Sequence, residues 1–307
     1  MDFRIQESEN KIEVIMTEAN LEVARASCFI QNTPTIKKEK IGTIGEIECD
    51  NAQDGENLLE KCCEILKEKN FKYVVGPMNG NTWNKYRCIR KTTEEPEFLL
   101  ENVDKKELNS MFKKAGFKEL HTYTSTKGKI KDAYSDKILD EMYSKIKKEG
   151  FSIRTFNKAN AHDELEKIFE VAKISFTRNP LFTDINKEEF IGQYEKYISM
   201  CNEKLILIAE KDGKPIGFLF SMPDFNMSRP NEKVTTLILK TIAIVPEYED
   251  YSIGNIMLNE VRKTSIDLGF TEWIFAFMYK SNTSQRMAQR NNTLTIREYS
   301  LYGKDLV

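Results

Sequence analysis

The sequence predicts an α+β fold, a mixed central sheet flanked by helices, laid down twice in tandem. Three observations carry this expectation. At 307 residues the chain has room for two domains of about 150 residues, each large enough to bury its own core. Residues 151–307 read as a strand, two helices, a three-strand meander and then helix–strand–helix–strand, which places strands of both directions in one sheet. The first half repeats that order. A shift of 199 residues lays Gly55 on Gly254, Leu58-Leu59 on Met257-Leu258 and Phe71 on Phe270 without a gap, with Gly42–Gly45 over Thr241–Ile244. A shift of 176 lays Met111 on Met287 and Tyr123 on Tyr299.

Apolar alternation predicts strands over Lys11–Met16, Leu21–Ile30 and Ile41–Glu48. Leu58, Leu59, Cys62, Ile65 and Leu66 form one stripe of a helix over Glu56–Lys69. Phe71–Val75 is a buried-type strand that stops at the turn signal Gly76-Pro77. A strand over Phe98–Leu100, a helix over Lys105–Ala115, a strand over Phe117–Thr124 and a charged helix over Ala133–Glu149 follow. The domain boundary is set at Gly150, dividing the chain into 1–150 and 151–307.

The second half opens with strand Phe151–Phe156 and helices Ala161–Phe176 and Lys187–Met200. Strands Leu205–Glu210 and Pro215–Met222 flank Asp212-Gly213-Lys214, a hairpin turn. Strand Val234–Val245 leads through a polar loop into a helix from Ser252 to Leu268. Strand Glu272–Met278, helix Thr283–Arg290 and strand Leu294–Tyr302 complete the chain.

Composition excludes several function classes. Lys plus Arg (46) balance Asp plus Glu (48), so no global field points to nucleic acid or a membrane surface, and no basic stripe is interleaved with aromatics. No apolar run approaches the roughly 20 residues that span a bilayer. The polar start MDFRIQESENK is unlike a secretory signal, so a cytoplasmic location is expected. The six cysteines lack paired metal-ligand spacing and are read as reduced thiols, with one of Cys62-Cys63 facing the core. With His121 and His162 far apart, no metal centre is expected.

The most informative stretch is Lys240–Met257, KTIAIVPEYEDYSIGNIM. A strand running through Pro246 into a helix presents unpaired N–H groups and a positive dipole end, which suits a phosphate. Strand, Pro-Glu-Tyr, loop, Ile-Gly, apolar helix, Gly-Phe, strand resembles the acyl-CoA-binding core of the GNAT N-acyltransferases. That family's loop runs roughly Gln/Arg-x-x-Gly-x-Gly/Ala. Here Gly254 matches the last glycine, Ser252 stands at the first and Glu249 at the basic or amide position. The segment Gly217–Asn226 and the ending Arg297–Tyr302 are similar to those of an uncharacterised bacterial group of tandem GNAT proteins, as are Phe71–Asn79 and Ala115–Phe117.

The resemblance implies a strand splayed from its neighbour and acetyl-CoA or another acyl-CoA as co-substrate, bound at Ile244, Val245, Tyr251, Ser252, Ile253, Gly254, Asn255 and Asn282. Backbone N–H groups from Tyr251 to Asn255 would cradle the pyrophosphate, provided that Glu249 and Asp250 turn to solvent. The other reading of Glu249–Ser252 is a solvated loop with Ser252 as N-cap, and Asn282 is equally an N-cap. An amide near Ile244 is the expected oxyanion donor. The family's helix tyrosine is missing, its place taken by Met287, Ala288 and Gln289. Tyr279, Tyr299 and Tyr302 are either substitutes or packing, and no catalytic residue is assigned.

Phe176 and Phe182 line an acceptor site or belong to a satellite core. Asp224 and Asn226 bind an amine or form an Asx-turn. The N-terminal loop Asp50–Gly55 keeps one glycine and adds acids, so residues 1–150 are expected to be non-catalytic. Trp83 and Tyr86 sit in NGNTWNKYR, a ligand-contacting or a surface loop. The expected function is transfer of an acetyl group to a primary amine of a small molecule or peptide, by a monomer with an internal pseudo-dimer or by a dimer. The alternative is a degenerate scaffold that binds a ligand or partner without chemistry.

Overall fold

The computed structural model describes residues 1–49, 51–101, 107–133, 137–227, 233–280 and 282–306. The first half contains β1 (Asp2–Glu7), β2 (Lys11–Glu18), β3 (Leu21–Phe29), the two-residue strands β4 (Thr35–Ile36) and β5 (Glu39–Lys40), and β6 (Gly42–Cys49). Helix α1 (Ala52–Glu68) leads to β7 (Tyr73–Gly76) and β8 (Cys88–Thr92), and α2 (Leu108–Lys114) to β9 (Lys118–Lys129). After α3 (Lys137–Lys147) come β10 (Phe151–Thr155), α4 (Ala161–Ser175), α5 (Lys187–Ile198), β11 (Ile206–Lys211), β12 (Lys214–Pro223) and β13 (Thr236–Ile244). Helix α6 (Ile253–Asp267), β14 (Glu272–Tyr279), α7 (Thr283–Arg290) and β15 (Leu294–Asp305) close the chain.

One mixed sheet runs through the molecule in the order β1-β2-β3-β6-β7-β15-β9-β14-β13-β12-β11-β10, with β8 added against β15. Its two parallel pairs are β6 with β7 and β13 with β14, each joined by a crossover helix, α1 or α6. The repeat read in the sequence is therefore physical, since β6–α1–β7 and β13–α6–β14 are the same unit. The last strands of the halves change places. Strand β15 pairs with β7 (Tyr302 opposite Gly76) and β9 pairs with β14 (Phe275 opposite Thr126). They meet each other antiparallel at the centre, Tyr299 opposite Tyr123. The ladders of one half thus satisfy the strand edges of the other.

Two faces of this sheet are covered. Helices α1 and α2 pack on the first half through Leu58, Leu59, Leu66 and Phe112. Helices α6, α7 and α3 pack on the same side of the second half, against Leu237, Leu239, Trp273 and Phe275. Helices α4 and α5 cover the opposite face of the second half through Phe169, Phe190, Phe218 and Ile238. An aromatic cluster, Tyr123, Tyr299 and Phe277 among it, covers the seam between the halves. Among the described residues no helix is long and apolar enough to cross a membrane.

Several expectations need correction. Phe98–Leu100 is not a strand. Pro96 interrupts the ladder, and residues 93–99 form a strap held by Thr93 N–H to Ile296 O (3.1 Å), the Arg297 guanidinium to Glu95 O (2.6 Å), and Leu99 N–H to Asp224 Oδ1 (2.8 Å). Strands β1 and β8 were not expected. Strand β1 alternates only two apolar residues, Phe3 and Ile5, along a mostly exposed, charged edge, and β8 is polar from Arg90 on. Strand β9 runs on to Lys129 because its polar end pairs with β14 throughout and with β15 as far as Lys127. Cys63 is buried as well as Cys62, and all six cysteines are buried. The expected helices over Lys105–Ala115 and Ala133–Glu149 are α2 and α3; residues 105–106 and 134–136 lie outside the described ones.

Candidate functional site

Strands β13 and β14 pair only from Thr236 opposite Glu272 to Leu239 opposite Phe275, and beyond that point they part. Each strand carries a bulge there. In β13 the register shifts opposite Phe220/Ser221, leaving Lys240 unpaired, with its Nζ 3.1 Å from the Tyr194 hydroxyl. In β14 the shift lies between Phe275 and Met278; Phe277 has φ 55° and donates its N–H to Ser125 Oγ at 3.0 Å. The Val245 N–H bonds Ile216 O on the β12 side at 2.8 Å. Bonds alternate from edge to edge along an antiparallel strand, so the N–H groups of Ile242 and Ile244 face the open side, where β14 has left the ladder.

The strand ends in Val245 and a 3-10 turn, Pro246–Tyr251, before α6. Ser252 sits at the N-cap position in the left-handed conformation, φ 58° and ψ 21°, and its side chain makes no capping bond. Ser252 is thus the N-cap by position, as the second reading of the loop has it, but not through its hydroxyl. Left-handed backbone favours glycine, so Ser252 keeps the geometry of the glycine it replaces. Gly254 has no positive φ, and there is room for a side-chain carbon beside it. A Cβ there would lie 3.6–3.9 Å from Ile242, Met287 and Ile244, at the gap between the β13 end and α7. Ile253 is buried. Asn255 and Ser252 open into a groove of ≈ 510 Å³ along α6 that reaches Arg262 and Arg290. Tyr251 turns away, its ring 4.7 Å from that of Phe151.

The two acids of the loop point outward. Glu249 pairs at 3.5 Å with Arg178 from the α4–α5 connection, both more than half exposed, and Asp250 is exposed. Asn282 caps α7, its side chain accepting from Thr283 N–H at 2.7 Å.

The equivalent place in the first half is closed. Asn51 Oδ1 accepts from the N–H groups of Gln53 and Asp54, both at 3.0 Å, so the start of α1 is capped by its own chain. A Cβ on Gly55 would meet Met111 Sδ at 2.4 Å, so α2 fills the space that is open beside Gly254. Residue 50 lies outside the described ones.

On the α4–α5 face, Phe176 and Phe182 pack against Trp83 from the first half, with ring centroids 5.8 and 6.3 Å apart, and Trp83 Nε1 donates to Thr183 O at 2.7 Å. The NGNTWNKYR loop is thus an anchor between the halves and not a free surface loop. Asp224 is fully buried and forms the expected Asx-turn with Asn226 N–H (3.3 Å), while its Oδ2 has no partner among the described residues. Burial pushes the Asp224 carboxyl above its ordinary range. Asn226 is exposed and contributes backbone only.

The tyrosines divide by environment. Tyr299 donates to Glu101 Oε1 (2.6 Å) beside Ser125 Oγ (3.1 Å), and Tyr302 donates to Asn109. Tyr279 is half-buried, with its hydroxyl 3.3 Å from His121 Nδ1, and burial lowers the His121 pKa, so the ring is neutral near pH 7. Among the described residues no cluster of His, Cys, Asp and Glu has metal-binding geometry.

Residues 165–292 match the family described as acetyltransferase (GNAT). Curated proteins give no match. Among solved structures, the chain is similar to the GCN5-related glucosamine N-acetyltransferase region of a fungal multi-domain GH3 β-N-acetylglucosaminidase. The TM-score is 0.57 at 12% identity, over 97% of this chain but 33% of that one. A GCN5-related N-acetyltransferase from Sphaerobacter thermophilus gives 0.54 at 11% identity, over 97% and 81% of the two chains. A tandem GNAT protein from the clavulanic acid biosynthesis pathway gives 0.52 at 7%, over 97% and 83%. At these identities the likeness is one of fold, and it includes the tandem arrangement.

Proposed function

We propose, from the match of residues 165–292 to the GNAT acetyltransferase family, that this chain is an acyl-CoA-dependent N-acetyltransferase whose working site lies in its second half. The carrying observation is the contrast between two equivalent helix starts: α1 is capped by Asn51 and filled by Met111, whereas α6 is uncapped, left-handed at Ser252 and open beside Gly254. In this reading the chain divides near Gly150, and residues 1–150 are non-catalytic.

Acyl-CoA, when bound, supplies the activated thioester. The N–H groups of Ile253, Gly254 and Asn255 would hold its pyrophosphate, since the first turn of a helix leaves them without intrahelical acceptors. The N–H groups facing the splay, at Ile242 and Ile244, are the oxyanion donors. Tyr299 and Tyr302 are committed to Glu101 and Asn109, which leaves Tyr279 as the proton donor to the departing thiolate. The acceptor is a primary amine of a small molecule or peptide, approaching from the Lys240–Tyr194 side.

Titration calorimetry with acetyl-CoA is the first test, with one saturable site per chain expected. Gly254→Val, which adds two methyl groups beyond a Cβ already in contact with Ile242 and Met287, should weaken binding at that site at least about tenfold. The triple change Glu249→Arg, Asp250→Gly and Ser252→Gly should tighten it about tenfold, by adding a cation and removing a strain of about 1 kcal/mol. Tyr279→Phe should lower kcat about 100-fold and leave the acetyl-CoA affinity unchanged. A second reading rests on Met287, which stands in α7 where the family carries a tyrosine: a binding scaffold without chemistry. No binding at millimolar acetyl-CoA would establish that reading and end the first.

A further inference from the structure

The seam between the halves holds a cation, Arg87, with no ion-pair partner among the described residues. Arg87 follows the Met78–Tyr86 bridge and has φ 67°. Its guanidinium carbon lies over the rings of Tyr86 (4.1 Å), Phe277 (4.3 Å), Tyr123 (4.8 Å) and Tyr299 (5.9 Å). These rings come from a loop of the first half and from strands β14, β9 and β15, so the nest exists only because the halves exchange strands. Of the five N–H donors, one bonds the neighbouring Tyr86 hydroxyl at 2.9 Å. No ion pair to Arg87 forms among the described residues. Arg87, Tyr86, Phe277, Tyr279 and His121 are all partly open to solvent.

A guanidinium stacked on aromatic faces keeps its planar edge free, and that edge matches a carboxylate in a two-point bond. A carboxylate meeting that edge forms charge-assisted, paired bonds that a neutral group cannot, so an anion is the partner that completes this site. The site also has a direction. Phe277 stands two residues beyond Phe275, the last residue of β14 paired with β13, so Arg87 looks onto the mouth of the splay. We infer that Arg87 is a carboxylate receptor built by the first half, and that the acceptor is an amine that also carries a carboxylate, an amino acid or the end of a peptide. The inference rests on the acetyltransferase reading for the amine, and on Arg87 alone for the carboxylate.

The test has two arms. In the first, benzoate and benzamide are titrated into the protein while the Arg Nε–H signals are followed by NMR. Benzoate should shift one signal saturably and benzamide should not. Arg87→Gln should remove the effect and Arg87→Lys should weaken it about tenfold or more, the loss of one charge-assisted bond. Acetyl-CoA affinity should be equal in wild type and both variants, which also verifies their folding. In the second arm, the twenty amino acids and their C-terminal amides are offered as acceptors. The acids should be used at least about tenfold better, with the preference lost in Arg87→Gln. Equal response to benzoate and benzamide, or persistence of the shift in Arg87→Gln, overturns the carboxylate site. Failure of acetyl-CoA to bind ends the acetyltransferase reading but leaves the benzoate arm intact.

Discussion

Arg297→Met is expected to destabilise the protein by about 3–5 kcal/mol, the usual cost of stranding one partner of a buried ion pair. The Arg297 and Glu101 side chains are 3% and 0% exposed, 3.1 Å apart. The guanidinium also holds the carbonyls of Glu95 (2.6 Å) and Pro96 (3.1 Å), so it secures the strap that carries Phe98 into the second-half core. Its removal leaves a buried carboxylate whose Oε2 already lacks a partner among the described residues. Adding Glu101→Leu to Arg297→Met should recover about 2 kcal/mol, because the stranded charge is gone while the strap contacts stay lost. Urea denaturation of the three proteins measures both quantities. A single variant within about 0.5 kcal/mol of wild type would mean that water reaches Glu101.

The same pair sets a pH dependence. Burial raises the Glu101 pKa in spite of Tyr299 and Arg297, so the folded state binds this proton more tightly than the unfolded chain. Stability from this group is present at low pH and is lost as pH rises from the ordinary glutamate range through the raised value. Asp224, raised by burial, has the same sign. In Arg297→Met the carboxylate has lost its cation, so the deficit at pH 8 should exceed the deficit at pH 5. A deficit independent of pH would show that the strap contacts carry the whole effect.

What was legible in the sequence is local. The strand–Pro–loop–helix–strand frame around Gly254 follows from apolar period and turn chemistry within 40 residues, and the Asx-turn at Asp224 and the Asn282 cap follow from side chains bonding backbone one or two residues away. The exchange of β9 and β15 was not legible. Both strands alternate in the same way whichever neighbour they meet, so nothing in their pattern distinguishes β7 from β14 as a partner. The apolar cluster at 98–100 suggests a strand, yet the burial of Phe98 depends on Asp224 and Arg297, more than 120 positions away. Arg87 carries no sequence signal. Only the fold brings Tyr123, Phe277 and Tyr299 around it. One cue was available for Ser252: a serine at a family glycine invites the left-handed conformation observed, not a hydroxyl cap.

Trp83→Ala is expected to cost about 3 kcal/mol, and the loss should fall on the second half although the residue belongs to the first. The indole meets Phe176, Phe182 and Phe190 at 5.7–6.3 Å and donates to Thr183 O, so it pins the α4–α5 connection that carries Arg178 and borders the proposed acceptor side. Trp83→Phe keeps an aromatic ring but removes the N–H, and should cost about 1 kcal/mol, one hydrogen bond. The other tryptophan, Trp273, is fully buried on the opposite face of the second half, so in Trp83→Phe its fluorescence reports that core alone. If the connection is held from the first half, Trp83→Ala should speed hydrogen exchange in residues 176–186 while α6 stays protected, and should raise KM for the acceptor without changing acetyl-CoA affinity. Unchanged exchange in that connection would mean that α4 and α5 position it themselves, through Phe169 against Phe190 at 5.4 Å. The first half would then leave that connection to α4 and α5, and its part on the proposed acceptor side would be Arg87 alone.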